Sequence, residues 1–329
     1  MRFSRILFPL VMLALAVPAT AERLPINEKK APSGRSDLDE IQSLLKAALP
    51  KARAATVCIE LDQGSGSGVV ISEDGLILTA AHVSGGVDRE FTVVFEDGKK
   101  VKAVSLGLNS NTDSAMAKII DEGTYPFVEV DRDDQTRLGD WVFSLGHSGG
   151  FDKDRGSVVR LGRLIRVVNE STWQSDCNLI GGDSGGPLFD LQGRLIGIHS
   201  RVGDKLPENM HVPMEEFLRS WDAMEAGEFI GEGPFAKKPE KGKGFLGLLA
   251  EAHDGEGIEV RKVGRESPAE KAGIKEGDVL LSMDGEKLES RDQLKELLKE
   301  KAPEDEVVFE MLRDGKPETL TLKLGNRED

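Results

Sequence analysis

Apolar residues change their spacing along the chain, and each spacing predicts a different kind of element. Between residues 36 and 49 they recur on one face of a helix, which Ser36 is expected to cap and Pro50 to end. This stripe is expected either to pack on the following domain or to meet a neighbouring subunit; it consists of Ile41, Leu44, Leu45, Ala48 and Leu49. From residue 55 onward, short runs of β-forming residues alternate with turns rich in glycine and aspartate.

Between residues 55 and 213 this second spacing predicts many short strands and almost no helix. Such a pattern is typical of an all-β barrel or sandwich, and the number of strands favours two barrels. The predicted strands are 56–61, 68–72, 76–79, 91–95, 101–106, 115–120, 127–130, 141–145, 158–168, 187–190, 194–199 and 210–212. A helix over 214–224 is expected to close the region.

The C-terminal part has a mixed pattern that predicts a small α+β domain. Capping boxes at 267–270 and 290–293 each begin a helix, and Gly273 is expected to end the first. Its predicted strands are 258–262, 279–283, 307–312 and 318–324. The expected organisation is a signal peptide at 1–21, a linker and helix at 22–54, a β domain at 55–226, a linker rich in Gly, Pro, Lys and Glu at 227–243, and the α+β domain at 244–326.

The first 21 residues have the pattern of a cleavable signal peptide. Arg2 and Arg5 form a charged start, 6–18 an apolar centre, and Ala-Thr-Ala at 19–21 a cleavage site of small residues. An uncleaved membrane anchor is the alternative. Cleavage after Ala21 predicts a periplasmic or secreted protein.

Composition and charge narrow the function classes. A chain of 329 residues with 39% hydrophobic and 31% charged residues is typical of a soluble globular protein of two or three domains. Its net charge of −15, or −17 without Arg2 and Arg5, argues against nucleic acid or anionic lipid as the main partner. No metal-ligand spacing or phosphate loop occurs in the sequence, so no cofactor is expected. Cys58 and Cys177 could form one disulfide, which the sequence leaves open.

Three polar residues have the types and the order of a catalytic triad. Ser184 lies in Gly-Asp-Ser-Gly-Gly-Pro at 182–187, where glycines allow backbone N–H groups to turn inward and substrate to approach. His82, expected at a strand end, is the candidate base, and Asp113 the carboxylate that would orient it. Taken alone, His82 reads equally well as an ordinary strand-end histidine and Asp113 as a turn residue. The order His, Asp, Ser is that of chymotrypsin-like enzymes.

Residues 55–225 resemble trypsin-like serine proteases of the HtrA (DegP/DegS) family, and residues 244–326 resemble a PDZ domain. The motifs that carry the protease resemblance are 66–72 (Gly-Ser-Gly-Val-Val-Ile-Ser), 78–83, 139–142 (Gly-Asp-Trp-Val) and 182–187. The resemblance implies a mainly β fold, a chymotrypsin-like double β-barrel followed by a small α+β PDZ domain. It also implies a homo-oligomer, since these proteins are usually trimers.

By that resemblance, His82, Asp113 and Ser184 cleave peptide bonds, and the N–H groups of Gly182 and Ser184 form the oxyanion hole. The segment Ile198, His199 and Ser200 is expected to pair with substrate backbone and border the pocket for the side chain before the cut bond. Apolar Ile198 favours small or medium aliphatic side chains there.

Two departures from the HtrA pattern bear on activity. The family usually has asparagine before the serine, whereas this chain has Asp183, as in proteases whose freed N-terminus pairs with that aspartate. We expect Asp183 to find a local donor, or the oxyanion hole to be unformed at rest. The loop 146–155 also differs from the family's usual Gly-Asn-Pro-Phe-Gly in a region tied to activation.

The stretch 244–248 resembles the loop and strand with which PDZ domains bind a free C-terminal carboxylate. Backbone N–H groups would hold the carboxylate while the peptide adds as a β-strand. The expected groove residues are Phe245, Leu246, Gly247 and Leu248, faced by Leu294 and Leu297 or Leu298 from a helix. As an alternative, Phe245 and Leu248 would simply be core residues.

The sequence thus predicts an exported serine endopeptidase that degrades or processes unfolded or damaged proteins, with a PDZ domain that binds C-terminal peptides. A regulatory protease with one dedicated target is a second enzymatic reading. The alternative of another class is a chaperone or peptide-binding scaffold with little or regulated proteolysis.

Overall fold

The structure, a computed structural model, describes residues 23–61, 64–132, 136–203, 208–238, 240–303 and 305–326. The predicted signal peptide, 1–21, lies outside the described residues. The chain divides into two compact units, Met1–Ala236 and Lys237–Asp329. This division falls within the stretch 227–243 for which the sequence predicts a linker.

The N-terminal helix α1 spans Arg35–Ala55 and follows a short 3-10 helix at Pro25–Glu28. The expected cap is wrong, because Gly34 and not Ser36 is the N-cap residue. The buried Asp37 carboxylate closes the first turn by accepting hydrogen bonds from the N–H of Ser33 at 2.7 Å and from its hydroxyl at 2.9 Å. A carboxylate at this end of a helix also complements the helix dipole.

Pro50 does not end α1, which continues to Ala55. Ala52 and Ala55 are buried, so packing of the last turns compensates for the hydrogen bond that a proline cannot donate. The apolar stripe packs within the same chain, since Ile41 is buried in one core cluster with residues such as Phe143. The expectation that the stripe packs on the following domain is therefore confirmed, and Ile41 is not available to a neighbouring subunit.

Six antiparallel strands and one helical turn form the first barrel. They are β1 Thr56–Leu61, β2 Gly64–Val70, β3 Leu76–Thr79, α2 Ala81–Ser84, β4 Glu90–Val94, β5 Lys100–Asn109 and β6 Ser114–Ile119. The barrel closes because β5 pairs with both β4 and β6. Its interior is filled by side chains such as Ile59, Ile77 and Val93.

Six further strands form a second closed barrel. They are β7 Trp141–Gly146, β8 Val158–Asn169, β9 Thr172–Ser175, β10 Pro187–Asp190, β11 Leu195–Val202 and β12 Asn209–Pro213. The predicted double barrel is confirmed. The strand expected at 127–130 is wrong, because that segment makes only one isolated bridge, between Val130 and Leu195. The short β9 was not predicted.

Two short helices and one strand complete the first unit. They are α3 Met214–Arg219, α4 Trp221–Glu225 and β13 Phe229–Ile230. The single helix expected at 214–224 is interrupted at Ser220, whose backbone leaves the helical conformation. β13 pairs in parallel with the end of β5, and Phe235 packs near it, so the first part of the predicted linker lies against the first barrel.

The second unit contains a six-stranded sheet, a separate pair of short strands and two helices. Its elements are β14 Gly244–Phe245, β15 Leu248–Ala252, β16 Ile258–Val263, α5 Pro268–Lys271, β17 Val279–Met283, β18 Glu286–Lys287, α6 Arg291–Lys299, β19 Glu306–Arg313, β20 Lys316–Lys323 and β21 Gly325–Asn326. Ser267 and Ser290 cap α5 and α6, as predicted, by accepting hydrogen bonds from Glu270 N–H and Gln293 N–H.

Both cysteines are buried free thiols. Cys58 lies on β1 of the first barrel, and Cys177 follows β9 of the second. Burial raises the pKa of each thiol to about 11. The structure thus contains no disulfide between them. Among the described residues, no helix combines the length and apolar character needed to cross a membrane.

The proline inside α1 generates a stability prediction. Pro50→Ala restores an N–H that can bond the carbonyl four residues earlier, and should raise the free energy of unfolding of the first unit by about 1–3 kcal/mol. Urea titration followed by tryptophan fluorescence measures this, because Trp141, Trp173 and Trp221 all lie in that unit. Gln42→Ala, at an exposed position of the same helix, is the control and should change stability by a few tenths of a kcal/mol. A destabilised Pro50→Ala protein would contradict the prediction.

Candidate active site

His82 and Asp113 are in direct contact at the rim of the first barrel. His82 lies on α2, the helical turn after β3, and not at a strand end as the sequence suggested. Its Nδ1 is 3.0 Å from both carboxylate oxygens of Asp113. Because a carboxylate only accepts, Nδ1 carries the hydrogen, and in neutral His82 the lone pair is on Nε2.

The Asp113 side chain is fully buried and has several donors. It has a left-handed backbone with φ of 64°, directly before β6. Besides the His82 ring, it accepts the backbone N–H of His82 at 3.1 Å and the Ser200 hydroxyl at 2.5 Å. These bonds come from α2 of the first barrel and β11 of the second, so the carboxylate lies where the two barrels meet.

The hydroxyl of Ser184 bonds to Ser200, the residue that also donates to Asp113. Ser184 Oγ donates to the Ser200 carbonyl at 3.0 Å. Its own carbonyl accepts the Ser67 N–H from β2 at 2.7 Å, which ties the segment to the first barrel. Within the described part of the chain, no hydrogen bond joins Ser184 Oγ to the His82 ring. Ser200 is thus the residue that contacts both Asp113 and Ser184.

The backbone next to Ser184 leaves two donors unused. Within the described residues, neither the Gly182 N–H nor the Ser184 N–H makes a hydrogen bond to protein. Gly182 has φ of 93°, and a Cβ there would lie 2.6 Å from both the Gly149 nitrogen and the His147 carbonyl oxygen. Only glycine fits this close approach of two backbone segments. The free N–H groups match the donors expected of an oxyanion hole.

Asp183 does find local donors. Its side chain is fully buried, and one oxygen accepts the Ser148 hydroxyl at 2.6 Å. The other accepts the Ile180 N–H at 2.8 Å and lies 3.0 Å from a guanidinium nitrogen of Arg160 on β8. Ser148 belongs to the loop 146–155, so that unusual loop is bonded to the segment that carries Ser184. The sequence did not identify Arg160 or Ser148 as partners of Asp183; its signal was the departure from the family's asparagine, from which we expected a local donor.

The prediction that residues 198–200 on β11 contact the substrate needs a correction. The side chains of Ile198 and His199 are fully buried in the second barrel and offer no surface to a peptide. The backbone of His199 is also occupied, since it bonds to Gly185 N–H and to the Gly186 carbonyl. Ser200 is the one of the three whose carbonyl reaches Ser184.

His199 instead forms a buried chain of hydrogen bonds with His211. The Leu145 carbonyl accepts from His199 Nε2 at 3.1 Å, so His199 Nδ1 accepts from His211 Nδ1 at 3.0 Å. His211 Nε2 in turn accepts from the Ser175 hydroxyl at 2.7 Å. Burial lowers the pKa of His199 to about 3, and burial also lowers the pKa of His211 well below its usual value. Both rings are therefore neutral structural groups.

In the second unit, the predicted groove residues come together around a cavity of about 140 Å³ between β15 and α6. Its lining includes all six residues of that prediction: Phe245, Leu246, Gly247, Leu248, Leu294 and Leu298. Leu297 packs on the core instead. β15 is an edge strand, paired only with β16, and within the described residues the N–H groups of Leu246 and Gly247 have no hydrogen bond partner. Arg291 and Lys295 also line this cavity, and Lys295 pairs with Asp292 on the same helix at 2.9 Å.

Family models match both parts of the chain. Residues 66–198 match a model described as trypsin-like peptidase domain, and residues 244–324 a model described as PDZ domain. The chain therefore combines a trypsin-like peptidase domain with a PDZ domain.

Individual relatives and solved structures are named more specifically than the two family models. A probable periplasmic serine endoprotease DegP-like from Halomonas elongata is 30% identical over 80% of this chain and 57% of its own length. A protein of the same description from Rickettsia conorii is 28% identical over 94% of this chain and 64% of its own length. This chain thus spans less than two thirds of these relatives. The solved structure of the HtrA-type protease AlgW with a tripeptide has 26% identity and a TM-score of 0.50, and the match covers 85% of this chain and 96% of that one. The resemblance to HtrA proteases is confirmed.

The histidine pair predicts a pH dependence of stability. Folding lowers the pKa values of His199 and His211. Below about pH 6.5 both side chains are therefore protonated in the unfolded chain but stay neutral in the folded one. Stability is therefore lost as the pH falls from about 6.5 toward the folded pKa of His199, about 3. Between pH 7.0 and 5.5 the contribution of this pair to the free energy of unfolding of the first unit should fall by about 2–3 kcal/mol, and buried His147, whose pKa burial also lowers, adds to the decline.

Urea titrations at the two pH values measure this fall. His211→Asn keeps a side-chain N–H for His199 but removes one titrating group, so it should remove roughly half of the decline that the pair contributes. Equal stability of the wild-type protein at pH 7.0 and 5.5 would contradict neutral burial of the pair.

Proposed function

We propose that this chain is an exported serine endopeptidase of HtrA type that cleaves unfolded or damaged proteins, with a PDZ domain that binds C-terminal peptides. The observation that carries the proposal is the contact of His82 with Asp113, together with the hydrogen bonds from Ser200 to Asp113 and from Ser184 to Ser200. A base with a bare Nε2, an orienting carboxylate and a serine hydroxyl are thereby gathered at one junction of the barrels.

In the proposed reaction, the Ser184 hydroxyl turns from the Ser200 carbonyl toward His82 Nε2 and attacks the peptide carbonyl carbon. His82 takes the hydroxyl proton, and Asp113 stabilises the resulting imidazolium. The free N–H groups of Gly182 and Ser184 bind the oxyanion. When the C–N bond breaks, His82 gives its proton to the leaving amine.

Water completes the cycle. It attacks the acyl carbon while His82 accepts one of its protons, and that proton returns to Ser184 Oγ as the acyl bond breaks. No cofactor enters these steps, because each one transfers only a proton or an acyl group between named atoms.

We propose a location and an assembly on the basis of the predicted signal peptide and of the relatives. The names of those relatives describe them as periplasmic. We propose that the mature chain is likewise periplasmic, or secreted. We also propose a homo-oligomer, most simply a trimer as in HtrA proteins. Since Ile41 is buried within its own chain, the contact between subunits would use other residues.

The PDZ domain is proposed to take a peptide end as an added strand. The open edge of β15 offers backbone partners, while the free N–H groups of Leu246 and Gly247 suit a terminal carboxylate. Leu294 and Leu298 of α6 supply the apolar side of the cavity for the last side chain.

A second candidate function is a chaperone or peptide-binding scaffold with little or regulated hydrolysis. The observation that favours it is the Ser184 hydroxyl, which bonds to the Ser200 carbonyl and not to His82. An enzyme with this resting arrangement needs the hydroxyl to rotate before it can act, and a peptide ligand could shift that equilibrium.

Ser184→Ala separates the two functions. It should lower casein hydrolysis by at least about 10³-fold, because it removes the hydroxyl that would form the acyl bond. Ser43→Ala, at an exposed position of α1, is the control and should retain full activity. Hydrolysis is measured with and without a peptide that ends in an apolar residue, and a fluorophosphonate tests labelling of Ser184. Absence of both hydrolysis and labelling under every peptide condition would favour the scaffold.

Leu298→Asp tests the PDZ groove. Placing a carboxylate beside the bound peptide end should raise the Kd of a fluorescent peptide with an apolar last residue by at least about 10-fold. Glu296→Gln, on the same helix but away from the cavity, should leave the Kd unchanged. Amidation of the wild-type peptide should weaken binding as well. Equal affinity for the free acid and the amide would argue against carboxylate recognition.

A further inference from the structure

Asp183 is a buried negative charge placed between the two residues whose N–H groups would bind an oxyanion. A fully buried carboxylate is costly unless a cation and hydrogen bond donors surround it. Arg160 is the cation within ion-pair distance among the described residues, at 3.0 Å, and its guanidinium is only 15% exposed.

The contacts form a closed set that joins three segments. Arg160 donates to the Ser148 hydroxyl at 2.9 Å, Ser148 donates to one Asp183 oxygen at 2.6 Å, and the other oxygen pairs with Arg160. The Ile180 N–H adds a fourth bond from within the chain just before Gly182. Thus β8 and the loop 146–155 are both attached to the same carboxylate.

Backbone geometry connects this carboxylate to catalysis. Asp183 lies between Gly182 and Ser184, so a rotation of its backbone moves both free N–H groups. A Cβ on Gly146 would lie 2.5 Å from Asp183 Oδ1 and 3.1 Å from Asp183 Cα, so the aspartate also packs directly on the end of β7. Without a cation, the Asp183 carboxylate would be more stable in water than in its buried position. The segment 180–184 would then turn outward with it.

We propose that Arg160 is a positioning residue that holds the segment 180–184 in the form in which Gly182 and Ser184 present their N–H groups. It does so through the side chain of Asp183 and with Ser148 as the connecting hydroxyl. The positive charge is supplied from within the barrel, so the segment needs no freed chain terminus to become ordered. This inference rests on the proposed function, and deepens it by naming what shapes the oxyanion site.

Four variants of the full mature chain test the pair. Arg160→Met removes the charge with a similar side-chain length, and Arg166→Gln removes an exposed charge from the same strand as the matched control. Asp183→Asn leaves the guanidinium without a carboxylate. The double variant Arg160→Met/Asp183→Asn removes both charges; the amide oxygen can still accept from the Ile180 N–H, and the amide NH2 can donate to the Ser148 hydroxyl, which no longer accepts from Arg160.

Steady-state kinetics on a peptide substrate provide the first readout. Arg160→Met should lower kcat by about 10²-fold, the order of one lost oxyanion donor, with KM changed by less than about 3-fold. Arg166→Gln should match the wild type. The double variant should recover to within about 10-fold of wild-type kcat, because no unpaired charge remains buried. A purely additive double variant, or Arg160→Met indistinguishable from Arg166→Gln, would overturn the proposal.

Hydrogen exchange of the segment 180–186 provides a second readout that needs no turnover. Exchange should be faster in Arg160→Met than in wild type or Arg166→Gln, and should slow again in the double variant. If Arg160→Met does not fold, the folded double variant decides: slow exchange supports the proposal and fast exchange overturns it. An inactive wild type that shows this exchange pattern would refute the proposed function and leave the positioning role in place.

Discussion

The site depends on one buried carboxylate at the junction of two barrels. Asp113 is satisfied only when α2 brings the ring and backbone of His82 from the first barrel and β11 brings the Ser200 hydroxyl from the second. A buried charge that loses such partners is strongly destabilising. The same requirement that stabilises the junction therefore fixes the tautomer of His82 and the position of Ser200, whose carbonyl meets Ser184. Stability of the interface and readiness for chemistry are two effects of one set of hydrogen bonds.

Much of the fold was predictable because its signals are local. Turn residues, β-forming runs and the capping boxes at Ser267 and Ser290 act within a few residues, and they gave the two barrels and both helices of the second unit. The failures at Pro50 and at 127–130 have a tertiary cause. Packing of Ala52 and Ala55 extends a helix that a local rule would end, and the segment near Val130 runs without a continuous strand partner.

The sequence predicted those parts of the site whose chemistry depends only on residue type and on order along the chain. His82 and Asp113 meet, and the PDZ cavity gathers the six expected residues. The cation beside Asp183 could not be chosen from 43 lysines and arginines, because the choice depends on how β8 pairs across the barrel. Likewise β11 is buried at every position from 195 to 200, so no alternation separates a core residue from a substrate contact, and His199 proved to be part of the core, bonded to His211.

The open edge of β15 has a consequence for the behaviour of the second unit in solution. A row of unpaired backbone groups beside an apolar cavity can pair with any extended chain, including one from another copy of the same protein. Lys295 is paired with Asp292 on α6, so Arg291 is the cation at this cavity that has no ion pair among the described residues. Two such edges would bring Arg291 of one copy toward Arg291 of the other, whereas a negatively charged chain end is attracted, so one side chain serves both solubility and selection.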